Sequence, residues 1–154
     1  MEVRILPPEP IKGNNMKLFQ DGDFTSHAGL PLAWKLECDA ITDDEWRCIA
    51  KMVMDYQDRP FCKAVGIPRG GLKFAEAMNE YATGNPMDQI MICDDVFTTG
   101  TSMKEFIAEN YPNWIAGMGF RWVLFARTPC YEHPHHVRAL FTMPKPTDPK
   151  YKQK

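Results

Sequence analysis

The sequence predicts an α/β domain, a Rossmann-like parallel sheet flanked by helices. Three observations predict it. Short apolar runs alternate with stretches whose apolar residues recur at helical spacing. Both glycine-bearing loops follow an apolar run and open a helix. The composition, 44% hydrophobic and 25% charged over 154 residues, is that of one ordinary globular domain. A strand-helix-strand-helix-strand rhythm gives parallel βαβ units with right-handed crossovers, whose ligands sit beyond the carboxyl ends of the strands.

The elements follow in order. Residues 1–16 and 144–154 read as a loose N-terminal segment and a flexible C-terminal tail, rich in proline, and residues 17–143 as a single domain. Leu32 to Cys38 (LAWKLEC) alternates as a strand does. Thr42 with Glu45 three residues on is a capping box, and the helix it opens, Asp43 to Gln57, sets Trp46, Ile49, Val53 and Tyr56 on one face. Lys63 to Ile67 (KAVGI) is a buried strand between Pro60 and Pro68. Gly70 and Gly71 turn into a second helix, Leu72 to Tyr81, with Phe74, Ala75, Ala77 and Met78 apolar. Ile90 to Cys93 (IMIC) is the next strand, followed by the loop DDVFTTGTS and a helix from Ser102 to Glu109. Trp122 to Ala126 (WVLFA) is the third buried strand.

Charge and cysteine content exclude several classes. Eighteen Lys plus Arg against twenty Asp plus Glu leave a formal charge of −2, so no basic field draws nucleic acid or an anionic membrane surface. No run of eighteen apolar residues and no leader-like start argue against a membrane span or a secretion signal. Five cysteines without a CxxC pair fit neither a zinc ribbon nor a disulfide framework and point to a reducing, cytoplasmic setting. Cys93, inside an apolar run, reads as a small buried hydrophobe. Tyr131 to His136 (YEHPHH) reads as a polar loop rather than a metal site, because Pro134 breaks the spacing that would align two imidazoles.

The loop after IMIC carries the chemistry. Backbone N–H groups from Thr98 to Ser102, at the positive end of the following helix, can wrap a phosphate, and the hydroxyls of Thr98, Thr99, Thr101 and Ser102 add donors. Gly100 lets the backbone come close. Asp94 and Asp95 can accept from a pair of ribose hydroxyls or hold a metal through water. The plain alternative, two acids ending a strand and a Thr/Gly run capping a helix, leaves at least one carboxylate crowded at a buried strand end.

IMICDDVFTTGTS resembles the phosphoribosyl-diphosphate-binding motif of type I phosphoribosyltransferases. The resemblance implies that Asp94 and Asp95 bind the ribose 2- and 3-hydroxyls and that Thr98, Thr99, Gly100, Thr101 and Ser102 cradle the 5-phosphate. It places the pyrophosphate on the loop VGIPRGG, with Arg69, Gly70, Gly71 and Lys73, around a peptide near Pro68 that is often strained or cis in such loops. Gly22 to Asp39 is similar to the hood of orotate phosphoribosyltransferases, which puts a small hood at residues 17–41 and gives Phe24, His27 and Arg127 to the base. Trp34, in that hood, is a core residue or a base-stacking one.

Two departures stand out. Only the eighteen residues Leu72 to Gln89 separate the pyrophosphate loop from the sugar-loop strand, so the family's mobile catalytic loop is missing. His27 replaces a permanently cationic residue, which weakens the case for orotate itself. The expected activity is transfer of 5-phosphoribosyl from its diphosphate to an orotate-like nucleobase, catalysed by Asp94, Asp95 and Arg69 with Mg2+. The alternatives are a non-catalytic nucleotide or phosphoribosyl-diphosphate sensor and a hydrolase. The partners implied are the sugar diphosphate, a nucleobase or nucleotide, and a second copy in a homodimer.

Overall fold

The computed structural model describes residues 16–25, 29, 31–115, 117–127 and 137–143. The order is β1 (Phe19–Thr25), β2 (Pro31–Leu36), α1 (Asp43–Tyr56), β3 (Phe61–Gly66), α2 (Leu72–Met78), β4 (Gln89–Phe97), α3 (Thr101–Asn110), β5 (Gly119–Ala126) and β6 (Val137–Thr142). The last four strands form a parallel sheet in the order β3-β4-β5-β6, and β1 and β2 form a separate antiparallel hairpin. No helix is long and apolar enough to cross a membrane. The loose termini, His27 and the YEHPHH stretch lie outside the described residues.

α1 starts where the capping box places it: Glu45 N donates to Thr42 Oγ1 at 3.1 Å and Thr42 N to Glu45 Oε1 at 3.0 Å. Its buried stripe is Trp46, Ala50 and Val53, with Ile49 partly covered. Tyr56, expected on that face, is 64% exposed. The helix ends at Tyr56, and Gln57 instead turns inward, its Oε1 accepting from Trp122 Nε1 at 2.7 Å. α2 is shorter than expected: after Met78 the chain tightens into a 3-10 turn, Asn79–Tyr81.

The sheet separates two apolar layers. Met91, Cys93, Trp122 and Leu124 face α1 and α2, while Ile92 and Val123 face Met103 and Ile107 of α3. Both crossovers step the same way across the sheet, from β3 to β4 to β5, yet α2 and α3 lie on opposite faces. Two such crossovers have opposite hands, so the expectation that both are right-handed fails for one of them. Stacked Trp46 and Phe74, centroids 5.6 Å apart, hold α2 to α1 on the shared face.

The short connection after α2 also closes the outer edge of β3. The Asn79 side chain accepts from Ala64 N at 2.8 Å and donates to Ala64 O at 2.9 Å, in the manner of a neighbouring strand. Thr83 N and Gly84 N donate to Phe61 O and Cys62 O at 2.9 and 3.0 Å. An edge left open would invite pairing with another chain. The eighteen-residue link is thus consumed by helix, 3-10 turn and edge cover, and holds no long mobile loop.

Two strands are absent from the sequence reading. β1 carries Asp21, Gly22 and Asp23, poor strand formers, and exists because it pairs with β2 around an irregularity between Asp21 and Phe24. β6 pairs with β5 from Arg121↔Val137 to Ala126↔Thr142. β4 also runs further than IMIC. Asp94 pairs with Val123 and Val96 with Phe125, so DDVF is strand rather than loop, because β5 supplies the hydrogen-bond partners.

Candidate active site

β4 delivers both acids to the carboxyl end of the sheet. Met91, Ile92 and Cys93 are fully buried, and Asp94 continues the strand into the same crowded layer with 9% exposure. Its Oδ1 accepts from Asp95 N at 2.8 Å, and Asp95 Oδ1 accepts from Val96 N at 2.8 Å. Burial, and after it the neighbouring Asp95 carboxylate, pushes the Asp94 carboxyl up from its ordinary 3.8 to about 8. Cys38 lies close enough that the Asp95 charge adds to burial in holding its thiol protonated. Cys93 is likewise held as an inert buried thiol, chiefly by burial. The described cysteines Cys38, Cys48, Cys62 and Cys93 are all free.

The Thr98–Ser102 turn follows directly. Gly100 adopts φ 83°, the left-handed region that suits glycine, and α3 begins at the next residue. Thr99 Oγ1 and Thr101 Oγ1 are 2.9 Å apart, and Thr101 N donates to Thr99 Oγ1 at 3.4 Å. A cavity of about 210 Å³ lies beside Asp94 and this turn, with Glu105 at its rim. The turn therefore brings threonine hydroxyls and the first-turn N–H groups of α3 beside the Asp94 carboxyl.

The Ile67–Gly71 loop reaches the same point from β3. Its Pro68–Arg69 peptide is cis. Gly71 N donates to Ile67 O, and Ile67 N to Cys93 O, each at 2.9 Å, which ties the loop to β4. A Cβ built on Gly70 would stand 2.6 Å from Asp95 Oδ1 and nearer still to Oδ2. Only the missing side chain lets the Asp95 carboxylate and the Arg69 loop share one corner. The two cations assigned to the pyrophosphate are engaged by acids with no local sequence signal: Arg69 Nη2 donates to Asp39 Oδ2 at 3.2 Å, and Lys73 Nζ to Asp43 Oδ1 at 3.0 Å. The Lys73 ammonium is held above its ordinary range by that bond to Asp43.

The hairpin closes the other side. Arg127 N donates to Phe97 O at 2.9 Å, which sets Arg127 beside the foot of the phosphate turn. Its Nη2 donates to Trp34 O at 2.9 Å and its guanidinium lies 3.8 Å from the Trp34 ring centroid. The Phe24 ring packs under Lys35 Nζ, 4.9 Å away, and Phe24 pairs with Leu32, two residues before Trp34 on β2. Among the described residues no cluster of three ligands stands ready for a metal ion.

The four-stranded parallel sheet flanked by helices, with its separate two-stranded hairpin, matches an α/β fold of the type I phosphoribosyltransferase kind. No family model matches the sequence, and no curated protein matches it. Solved structures do match. Leishmania donovani UMP synthase superposes with a TM-score of 0.63 at 16% identity over 81% of this chain, which spans only 33% of that one. Orotate phosphoribosyltransferase from Aeropyrum pernix superposes with a TM-score of 0.62 at 19% identity, covering 81% of this chain and 88% of that one. The Mycobacterium tuberculosis H37Rv orotate phosphoribosyltransferase in complex with inorganic phosphate gives 0.59 at 13% identity, covering 80% and 87%. The chain thus has the fold of the orotate phosphoribosyltransferases.

Proposed function

We propose that this chain transfers a 5-phosphoribosyl group from phosphoribosyl diphosphate to a ring nitrogen of an orotate-like nucleobase, releasing pyrophosphate. One observation carries the reading: the Asp95 carboxylate and the Arg69–Gly71 loop meet at Gly70, where a side chain would separate them. A ribose held by Asp94 and Asp95, with its 5-phosphate on the Thr98–Ser102 turn, has its anomeric carbon directed toward that loop.

In the reaction the bond from the anomeric carbon to the diphosphate oxygen breaks, its electron pair leaves with pyrophosphate, and the base nitrogen forms the new bond. No protein nucleophile is required. Arg69 and the loop N–H groups meet charge developing on the leaving group. The exposed Arg69–Asp39 pair is worth less than about 1 kcal/mol, so a diphosphate displaces Asp39 readily. Asp95 would be the carboxylate that holds magnesium, which takes few protein ligands and fills its shell from water and substrate phosphates. Bound there, Mg2+ supplies neutralising charge for the diphosphate.

A second reading, a non-catalytic sensor of a nucleotide or sugar diphosphate, draws support from the link after α2. That link is spent on closing the β3 edge and provides nothing to cover the reacting atoms. Phosphorus NMR of the protein with Mg2+ and phosphoribosyl diphosphate separates the readings. Pyrophosphate released only with added bases establishes transfer, release without base together with free ribose phosphate means hydrolysis, and shifted signals without turnover mean a sensor.

A further inference from the structure

The two cations of the pyrophosphate loop, the Asp94–Asp95 pair and the phosphate turn are absorbed by the reading above; the Trp34–Arg127 stack is not. Resting on that reading, we propose that Trp34 is the positioning residue of the base site: its indole holds the Arg127 guanidinium flat and ready for the planar, anionic ring of the accepting base.

The order of strands places the three parts of the substrate. The diphosphate loop follows β3, the acids and the phosphate turn follow β4, and Arg127 follows β5. β4 lies between the other two, so the leaving group and the incoming base approach the sugar from opposite sides, as displacement at one carbon demands. Arg127 therefore stands on the base side, fixed at its own N–H by Phe97 O.

Its side chain is fixed twice more, by the Trp34 ring and by the Trp34 carbonyl. A long cationic side chain loses rotamer freedom when it binds a ligand, and one already immobilised loses less. A guanidinium stacked on a ring presents its N–H groups in its own plane, where a carboxylate or ring carbonyl accepts from them.

The two contacts separate by mutation. Trp34→Ala removes the ring and keeps the carbonyl, and Trp34→Phe keeps a flat face. Calorimetric titration of the full chain with orotidine 5′-monophosphate and, separately, ribose 5-phosphate reads the base contribution without turnover. Trp34→Ala is expected to weaken the nucleotide about tenfold while leaving ribose 5-phosphate within about twofold, and Trp34→Phe to recover most of the loss. In an Arg127→Lys background, Trp34→Ala is expected to cost about twofold or less, because its target is gone. Equal losses for both ligands, or none for the nucleotide, overturn the proposal while leaving the functional reading intact. A wild-type chain that binds neither compound overturns that reading and this one with it.

Discussion

Gly70→Ala isolates the contact on which the functional reading rests. The added methyl would stand 2.6 Å from Asp95 Oδ1 and closer to Cγ and Oδ2, where ordinary contact begins near 3.4 Å. The carboxylate must therefore move by about 1 Å, which a side-chain end can do by rotation. Moving it breaks the 2.8 Å bond that Asp95 Oδ1 accepts from Val96 N, a loss of about 1 kcal/mol at a half-buried position. The same movement takes a charged acceptor away from the ribose, worth about 1.5 to 3 kcal/mol, or roughly 10- to 150-fold in affinity.

Gly71→Ala makes the opposite case. Its methyl would meet Ile67 N at 2.7 Å, Ile67 O at 2.9 Å and the Cys93 carbonyl closer still, all backbone, and overpacking that cannot relax costs about 3 kcal/mol or more. Denaturant unfolding and calorimetric titration with phosphoribosyl diphosphate are to be run on both variants. Gly70→Ala is expected to lose only about 1 kcal/mol of stability while its affinity falls roughly 10- to 150-fold, and Gly71→Ala to lose about 3 kcal/mol of stability or more. Affinity within twofold of wild type in a folded Gly70→Ala protein refutes the placement of the sugar against Asp95.

Other outcomes follow from the same geometry. Asp95→Asn is expected to weaken binding of the sugar diphosphate by about 1 to 3 kcal/mol with little change in stability, read by the same titration. Asp94, raised from 3.8 to about 8, holds a proton in the folded chain that the unfolded chain has released, so its contribution to stability is complete below about pH 4, declines as pH rises and is gone above about 8. Asp94→Asn is expected to remove that decline, with unfolding midpoints that converge with wild type at low pH and exceed it at pH 8; parallel pH profiles would sink the assignment. Asn79→Ala strips both bonds from Ala64 on the β3 edge and is expected to cost about 1 to 3 kcal/mol and to promote self-association, seen by unfolding and light scattering.

Much of the chain was legible one element at a time. The capping box at Thr42 and Glu45, the apolar runs of β3, β4 and β5 and the glycine loop before α2 are written in neighbouring residues, because helix caps, strand burial and tight turns are decided within a few positions. The stretch from Asp94 to Ser102, acids near a strand end and a turn that opens α3, was legible for the same reason: its residues are contiguous.

What the sequence by itself determined, then, is the inventory: an α/β rhythm, two strand-end loops, and acids, hydroxyls and glycines in an order that suits a sugar phosphate. The tertiary structure decided the pairings. β4 runs on through Phe97 because β5 lies beside it, and β1 is a strand because β2 pairs with it. The opposite hands of the two crossovers follow from α2 packing on α1. Arg69 meets Asp39 thirty residues away, and Arg127 meets Trp34 across ninety-three. Such contacts join residues whose separation along the chain carries no periodic signal, and they exist only once burial of the two apolar layers has brought the hairpin and the sheet edge together.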